Sequence, residues 1–167
     1  MDPTKDFELD REPGTLDTDA VLVRTLRSED LPAVAEIDRK ISGRSRREYL
    51  SRRVETALRD SSVCISLAAE VDGTVAGFLM GSLYYGEFGI PEPVAILDTL
   101  GVDLDRRHRK VASALLRQLV LNLQALGIEK VQTEVDWTQR DLLAFFAALG
   151  FVPAPRFCLE LDLARKP

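Results

Sequence analysis

The chain has 167 residues, 46% apolar and 29% charged, with two Cys, one His and a formal net charge of -5. That length supports one domain with a core burying roughly 68–70% of the unfolded surface. Cys64 and Cys158 lie too far apart for a CxxC zinc site or a dense disulfide framework, and one His excludes a His-rich metal site, so no metal is expected.

No apolar run reaches the roughly 18 residues of a membrane span, and the acidic start Met1-Asp2-Pro3-Thr4 is unlike a signal peptide. A soluble, cytoplasmic protein with no membrane partner is the expectation. Residues 1–20 hold seven acids against Lys5 and Arg11, which accounts for the whole net charge. Few large apolar residues and the breakers Pro3, Pro13 and Gly14 predict a disordered arm, with an ordered arm on a partner subunit as the alternative. The neutral remainder, 21–167, reads as a single domain. Its aromatic residues are not interleaved with its basic ones, which argues against nucleic acid.

Val21 to Arg27 reads as a strand. Ser28 is placed to cap a helix with Glu29 and Asp30 in its first turn. Leu31, Val34, Ile37 and Ile41 give that helix its apolar stripe, and Ser42-Gly43 ends it. A second helix is predicted over 45–60, with Tyr49, Leu50, Val54, Ala57 and Leu58 inward. Strands follow over 62–71 and 74–85, joined by Asp72-Gly73, a short-range hairpin signal. Residues 86–93 read as a loop broken by Gly89, Pro91 and Pro93.

Val94 to Val102 is a strongly apolar strand containing one acid, Asp98. A basic connection, Arg106-Arg107-His108-Arg109-Lys110, leads into a helix over 111–126 closed by Gly127. A strand over 128–135, a helix over 138–149 and a final strand over 152–163 complete the order β-α-α-β-β-β-α-β-α-β. Such an order predicts an α/β fold with a mixed sheet and helices on both faces. The unit from 94 to 135 has the length of a βαβ crossover.

A strand feeding directly into a helix presents free N–H groups and the positive end of the helix dipole. With four basic side chains beside it, the turn suits a phosphate; a solvated basic loop is the alternative. Asp98 attracts attention because by alternation it shares a strand face with Val94, Ile96, Leu100 and Val102. An acid in such a setting becomes a better base as desolvation raises its pKa. Glu70, Glu134 and Asp136 are weaker candidates, and structural pairing with an Arg is the plain alternative for Asp98.

Two stretches, Leu100 to Leu116 and Asp136 to Phe151 with its Leu149-Gly150-Phe151 ending, resemble the GNAT superfamily of N-acetyltransferases over about residues 21–163. The resemblance implies a mostly antiparallel, twisted mixed sheet of six to seven strands. It implies acetyl-coenzyme A as cosubstrate and direct acetyl transfer to a primary amine in a ternary complex. It also implies that Leu100, Gly101, Val102, Arg107, His108, Arg109, Lys110, Val111, Ala112 and Ser113 hold the cofactor, with Asp98 as the catalytic base. The helices with Arg39, Lys40, Arg44, Arg46, Arg47, Arg52, Arg53 and Arg59 would line the acceptor side.

Two positions depart from the family pattern. Lys110 stands where Gly is usual, and Phe146 stands where many members carry a Tyr acting as general acid. Both favour the alternative of an acyl-coenzyme A binding module with little turnover. The acceptor, a small-molecule or protein amine, and the oligomeric state, a homodimer included, stay open.

Overall fold

Two helices close one face of a five-stranded sheet and a third lies on the other. The computed structural model describes residues 21–59, 65–85, 89, 91–106 and 110–164. The acidic arm 1–20, Cys64 and the turn residues Arg107, His108 and Arg109 lie outside the described residues. The chain divides into two compact units, one ending at Thr133 and the other running from Glu134.

The first unit contains β1 (Leu22–Thr25), α1 (Leu31–Ser42), α2 (Arg47–Arg59), β2 (Leu67–Val71), β3 (Thr74–Tyr84), β4 (Val94–Val102), α3 (Val111–Ala125) and β5 (Val131–Thr133). The sheet order is β1-β2-β3-β4-β5, antiparallel until the parallel β4–β5 pair that α3 connects. The Asp72-Gly73 turn has positive φ at both residues, 53° and 70°, as a type I′ hairpin requires.

Alternation divides the sheet into two apolar faces. Ala68, Phe78 and Met80 form a buried cluster with Leu26, Val34, Ile37, Leu50 and Val54, so α1 and α2 cover that face. Tyr49 and Ile41, expected inward, are half exposed, because the buried stripes are narrower than the apolar residues available. On the opposite face, the missing side chain of Gly77 admits α3. A Cβ there would stand 2.7 Å from Val111 Cγ1.

The start of α1 differs from expectation. Ser28 begins a 3-10 turn, Ser28–Asp30, rather than capping the helix. Asp30 closes the turn by accepting the Arg27 N–H at 2.8 Å. Its buried carboxylate also takes both terminal nitrogens of Arg24, at 2.7 and 2.8 Å, while Arg24 reaches Glu70 on β2. This knot pins β1, β2 and the approach to α1 together. Burial pushes the Asp30 carboxyl up, but Arg24 and the Arg27 N–H outweigh it and hold it below the usual aspartate range.

The expectation of six to seven strands is corrected: the described residues form five. The segment predicted as a final strand, 152–163, carries no strand pairing, and Phe157, Leu159, Leu161 and Leu163 are 81% to 93% exposed. Alternating apolar residues signal a strand, but a strand exists only where a ladder partner takes its N–H and C=O groups. The second unit holds α4 (Arg140–Ala148), in which Phe146 meets Phe145 and Phe151 edge-on. No described helix is long and apolar enough to cross a membrane.

At the start of α3, Lys110 adopts a left-handed conformation, φ 56° and ψ 20°, without a side-chain cap. The turn therefore does require the backbone region that glycine adopts freely.

Two stability measurements follow from these features. Asp30→Asn lowers unfolding free energy at pH 7 by about 3 kcal/mol, since it breaks a buried pair while Glu70 still holds Arg24. A carboxyl lowered in the folded state stabilises fully above about pH 4 and loses that effect as pH falls through its folded value. The gap between wild type and variant in urea titrations thus narrows below pH 4; a constant gap would contradict the pairing. Lys110→Gly raises stability by about 1 kcal/mol by relieving left-handed strain, whereas Lys110→Ala gives no gain.

Candidate functional site

The site begins with a fault in β4. Met80 pairs with Thr99 and Gly81 with Leu97, so Asp98 is an extra residue without a partner on β3. Such a bulge breaks the period of two, shifts the phase of the strand and bends it. This is why Asp98 does not keep the apolar surroundings that alternation predicts: it is an exposed position of the strand. Its Oδ1 accepts the Thr99 hydroxyl at 2.8 Å, and its Oδ2 pairs with Arg53 of α2.

Beyond the bulge, β4 loses its second neighbour. Parallel pairing with β5 covers only Ala95, Ile96 and Leu97. Before the bulge, Ala95 donates its N–H toward β5, to the Lys130 carbonyl at 3.0 Å. After it, Asp103 donates to Ala76 on β3 at 2.8 Å. Antiparallel ladders alternate between bonded and outward-facing residues. Counting back from Asp103 along the β3–β4 register, Gly101 faces β3, while Leu100 and Val102 direct N–H and C=O away from it. No described strand lies along that side of 98–102. Gly101 is held against the sheet: a Cβ on it would stand 2.6 Å from the buried Phe78 ring.

The outward edge leads to the start of α3. The Ala114 N–H is bonded back to the Lys110 carbonyl at 2.9 Å, so Val111, Ala112 and Ser113 precede it with their N–H groups at the helix mouth. Lys110 itself is exposed. Arg106 is engaged elsewhere, with Asp72 of the hairpin turn at 2.9 Å. The preceding residues are tied down by Lys40 at the end of α1, which reaches Asp103 at 3.0 Å and Asp105 at 3.1 Å. Those two carboxylates hold the Lys40 ammonium above its ordinary range. Sequence reasoning missed this tie, because a Lys–Asp pair 63 residues apart leaves no local pattern.

A second group gathers around Arg53. Asp98 holds its guanidinium above the ordinary range against the effect of burial, and Tyr49 on α2 and Tyr84 on β3 lie near it. Tyr49 and Tyr84 are half exposed. The Arg53 Nε is buried and has no hydrogen-bond partner. Arg46, immediately before α2, stacks over Tyr49 with 5.5 Å to the ring centroid and pairs with buried Asp38. The i,i+4 spacing of Tyr49 and Arg53 was a readable signal that both lie on one helix face.

The weaker acid candidates have surroundings of their own. Glu70 belongs to the Arg24 knot, and Asp136 accepts the N–H and hydroxyl of Thr138 in the second unit. Glu134 is exposed in that unit, as is Trp137.

A bulged strand with an open amide edge, running into a helix mouth, is an arrangement that can be compared with known proteins. Residues 23–151 match the model of the acetyltransferase (GNAT) family. Among solved structures, the chain resembles an aminoglycoside N-acetyltransferase, AAC(6')-Iy, in complex with CoA, with TM-score 0.71 and 18% identity over 91% of this chain and 99% of that one. A ribosomal-protein-alanine N-acetyltransferase from Brucella melitensis biovar Abortus 2308 gives TM-score 0.68 and 19% identity over 87% and 100%. Ard1 from Thermoplasma volcanium gives 0.67 and 22% over 80% and 83%. At these identities the structures speak for the fold, and the family match spans more than half of the sequence: the chain belongs to the GNAT family of acetyltransferases.

Proposed function

We propose that the chain transfers an acetyl group from acetyl-coenzyme A to a primary amine, by direct attack within a ternary complex. The observation that carries this is the open edge at Leu100 and Val102, left by the end of β4–β5 pairing and continuous with the α3 mouth. An amide-bearing chain can pair there in the manner of an added strand. The reading takes residues 21–167 as one catalytic domain, keeps the cytoplasmic setting expected from sequence, and takes an amine, small or protein-borne, as the partner.

The donor set fits this cosubstrate. Outward groups at Leu100 and Val102 complement amides, with Gly101 keeping the strand in place between them. The N–H groups of Val111, Ala112 and Ser113, with Lys110 and the basic turn Arg107, His108 and Arg109, complement a diphosphate. When bound, acetyl-coenzyme A supplies an acetyl activated as a thioester. The residues of the chain do the rest. Asp98 holds the incoming ammonium and receives its proton through water, since an alkylammonium near pKa ~10.4 cannot attack. Outward N–H groups of β4 donate to the carbonyl oxygen as charge builds on it. The thiolate departs without a protein acid, a fair leaving group because a thiol has a pKa near ~8.5.

One observation favours the second reading, a binding module with little turnover. Both Asp98 oxygens are engaged, and Phe146 has no proton to give. Two measurements separate the readings. A thiol-release assay with acetyl-coenzyme A across a panel of amines is expected to show turnover; binding by calorimetry with no release on any amine would support the module. Val102→Pro removes one outward N–H and no β3 ladder bond, and should weaken coenzyme A binding roughly tenfold or more. Unchanged affinity in a folded variant would dismiss the open edge as the binding element.

A further inference from the structure

If Asp98 receives the acceptor's ammonium, as the acetyl-transfer reading has it, its pairing with Arg53 sets a charge condition on that acceptor. Resting on the acetyl-transfer reading, we propose that the acceptor is a zwitterion of the α-amino-acid kind, whose carboxylate is taken by Arg53 while its ammonium is taken by Asp98. Arg53 is then a specificity-determining residue of this chain.

The physical case is one of exchange. A cationic amine approaching Asp98 competes with Arg53 for the same carboxylate, because Thr99 and Arg53 already occupy its two oxygens. A plain amine would displace a guanidinium that is only 29% exposed and whose Nε is already without a partner. Such a half-buried cation, stripped of its counter-charge, is costly. An acceptor that brings its own carboxylate removes the cost. One ion pair opens and two form, Arg53 with carboxylate and Asp98 with ammonium, and net charge at the site is conserved.

The surroundings agree. Among the described residues, Asp98 is the carboxylate paired with Arg53, and Tyr49 and Tyr84 lie near it. Arg46, just before α2, and Asp38 of α1 satisfy each other. Its Nε is buried, so an arriving carboxylate meets Arg53 at the terminal nitrogens, from which a planar guanidinium donates to both carboxylate oxygens.

Exchange also accounts for release. In the transfer an N–C bond forms and the thioester C–S bond breaks. The ammonium gives up two protons, one ending on the coenzyme A sulfur and one in solvent. The product amide carries no positive charge. It keeps its carboxylate but loses its hold on Asp98, which returns to Arg53 and displaces it.

Matched trios test this: free L-amino acids, their amides, and the corresponding decarboxylated amines, each assayed for thiol release with acetyl-coenzyme A. The expected result is a kcat/KM roughly 10- to 100-fold higher for the acid than for its amide or amine. Arg53→Gln should bring that ratio toward one, and Arg53→Lys should keep part of it. Equal or better rates on amides, plain amines or peptides would overturn the proposal while leaving the acetyl-transfer reading intact. Should Arg53→Gln fail to fold, the wild-type ratio decides alone. If no amine releases thiol, the acetyl-transfer reading falls. Calorimetry of the same trios on coenzyme A-loaded protein then decides the charge condition. Tenfold tighter binding of the acid upholds it, and equal binding ends it.

Discussion

One inserted residue governs the architecture around the site. With Asp98 unmatched on β3, the ladder before it and the ladder after it are out of phase. Ala95 turns its N–H to β5, whereas Leu100 and Val102 turn theirs to an edge that β5 has already left. The same slip carries the Asp98 side chain out to α2 and Arg53. Without the bulge, period-two alternation would have continued, and neither the outward amides nor the ion pair would fall where they do.

A backbone opening of this kind needs rigid flanks. Close approach at Gly77 seats α3 on β3, and the Gly101 contact with Phe78 fixes the far end of β4 against the core under α1 and α2. Lys40 holds the following turn through Asp103 and Asp105, and Arg106 ties it to the hairpin at Asp72. Charges here serve mainly as clamps between elements distant in sequence. Arg24, bridging Asp30 and Glu70, plays the same part for β1.

Much of this was legible in the sequence. The limits of β4 emerge residue for residue, because Val94 to Val102 is apolar and bounded by Pro93 and Asp103. The Asp72-Gly73 hairpin, the Gly43 and Gly127 stops and the amphipathic faces of α1, α2 and α3 follow from local chemistry. The family pattern marked Lys110 as standing where Gly is usual, and the structure gives the position its positive φ. What escaped was non-local. The bulge arises from pairing against β3, which no window of β4 reveals. Pairing of Asp98 with an Arg was an open alternative, but that the partner is Arg53, 45 positions away, depends on helix placement. The segment 152–163 shows the converse: its alternation is genuine, but pairing is a property of two strands.

The opened edge has a further bearing on how the molecule behaves among other chains. Unsatisfied amides on a strand are a template, and sticky sheet borders are what soluble proteins avoid. Here the vulnerable stretch spans only the outward units of Leu100 and Val102 before the chain coils into a 3-10 turn and α3. That is too brief to recruit a foreign hairpin, yet long enough for the short amide-bearing chain proposed to pair there. Brevity thus serves as the safeguard that lets a receptive border persist in a crowded solution.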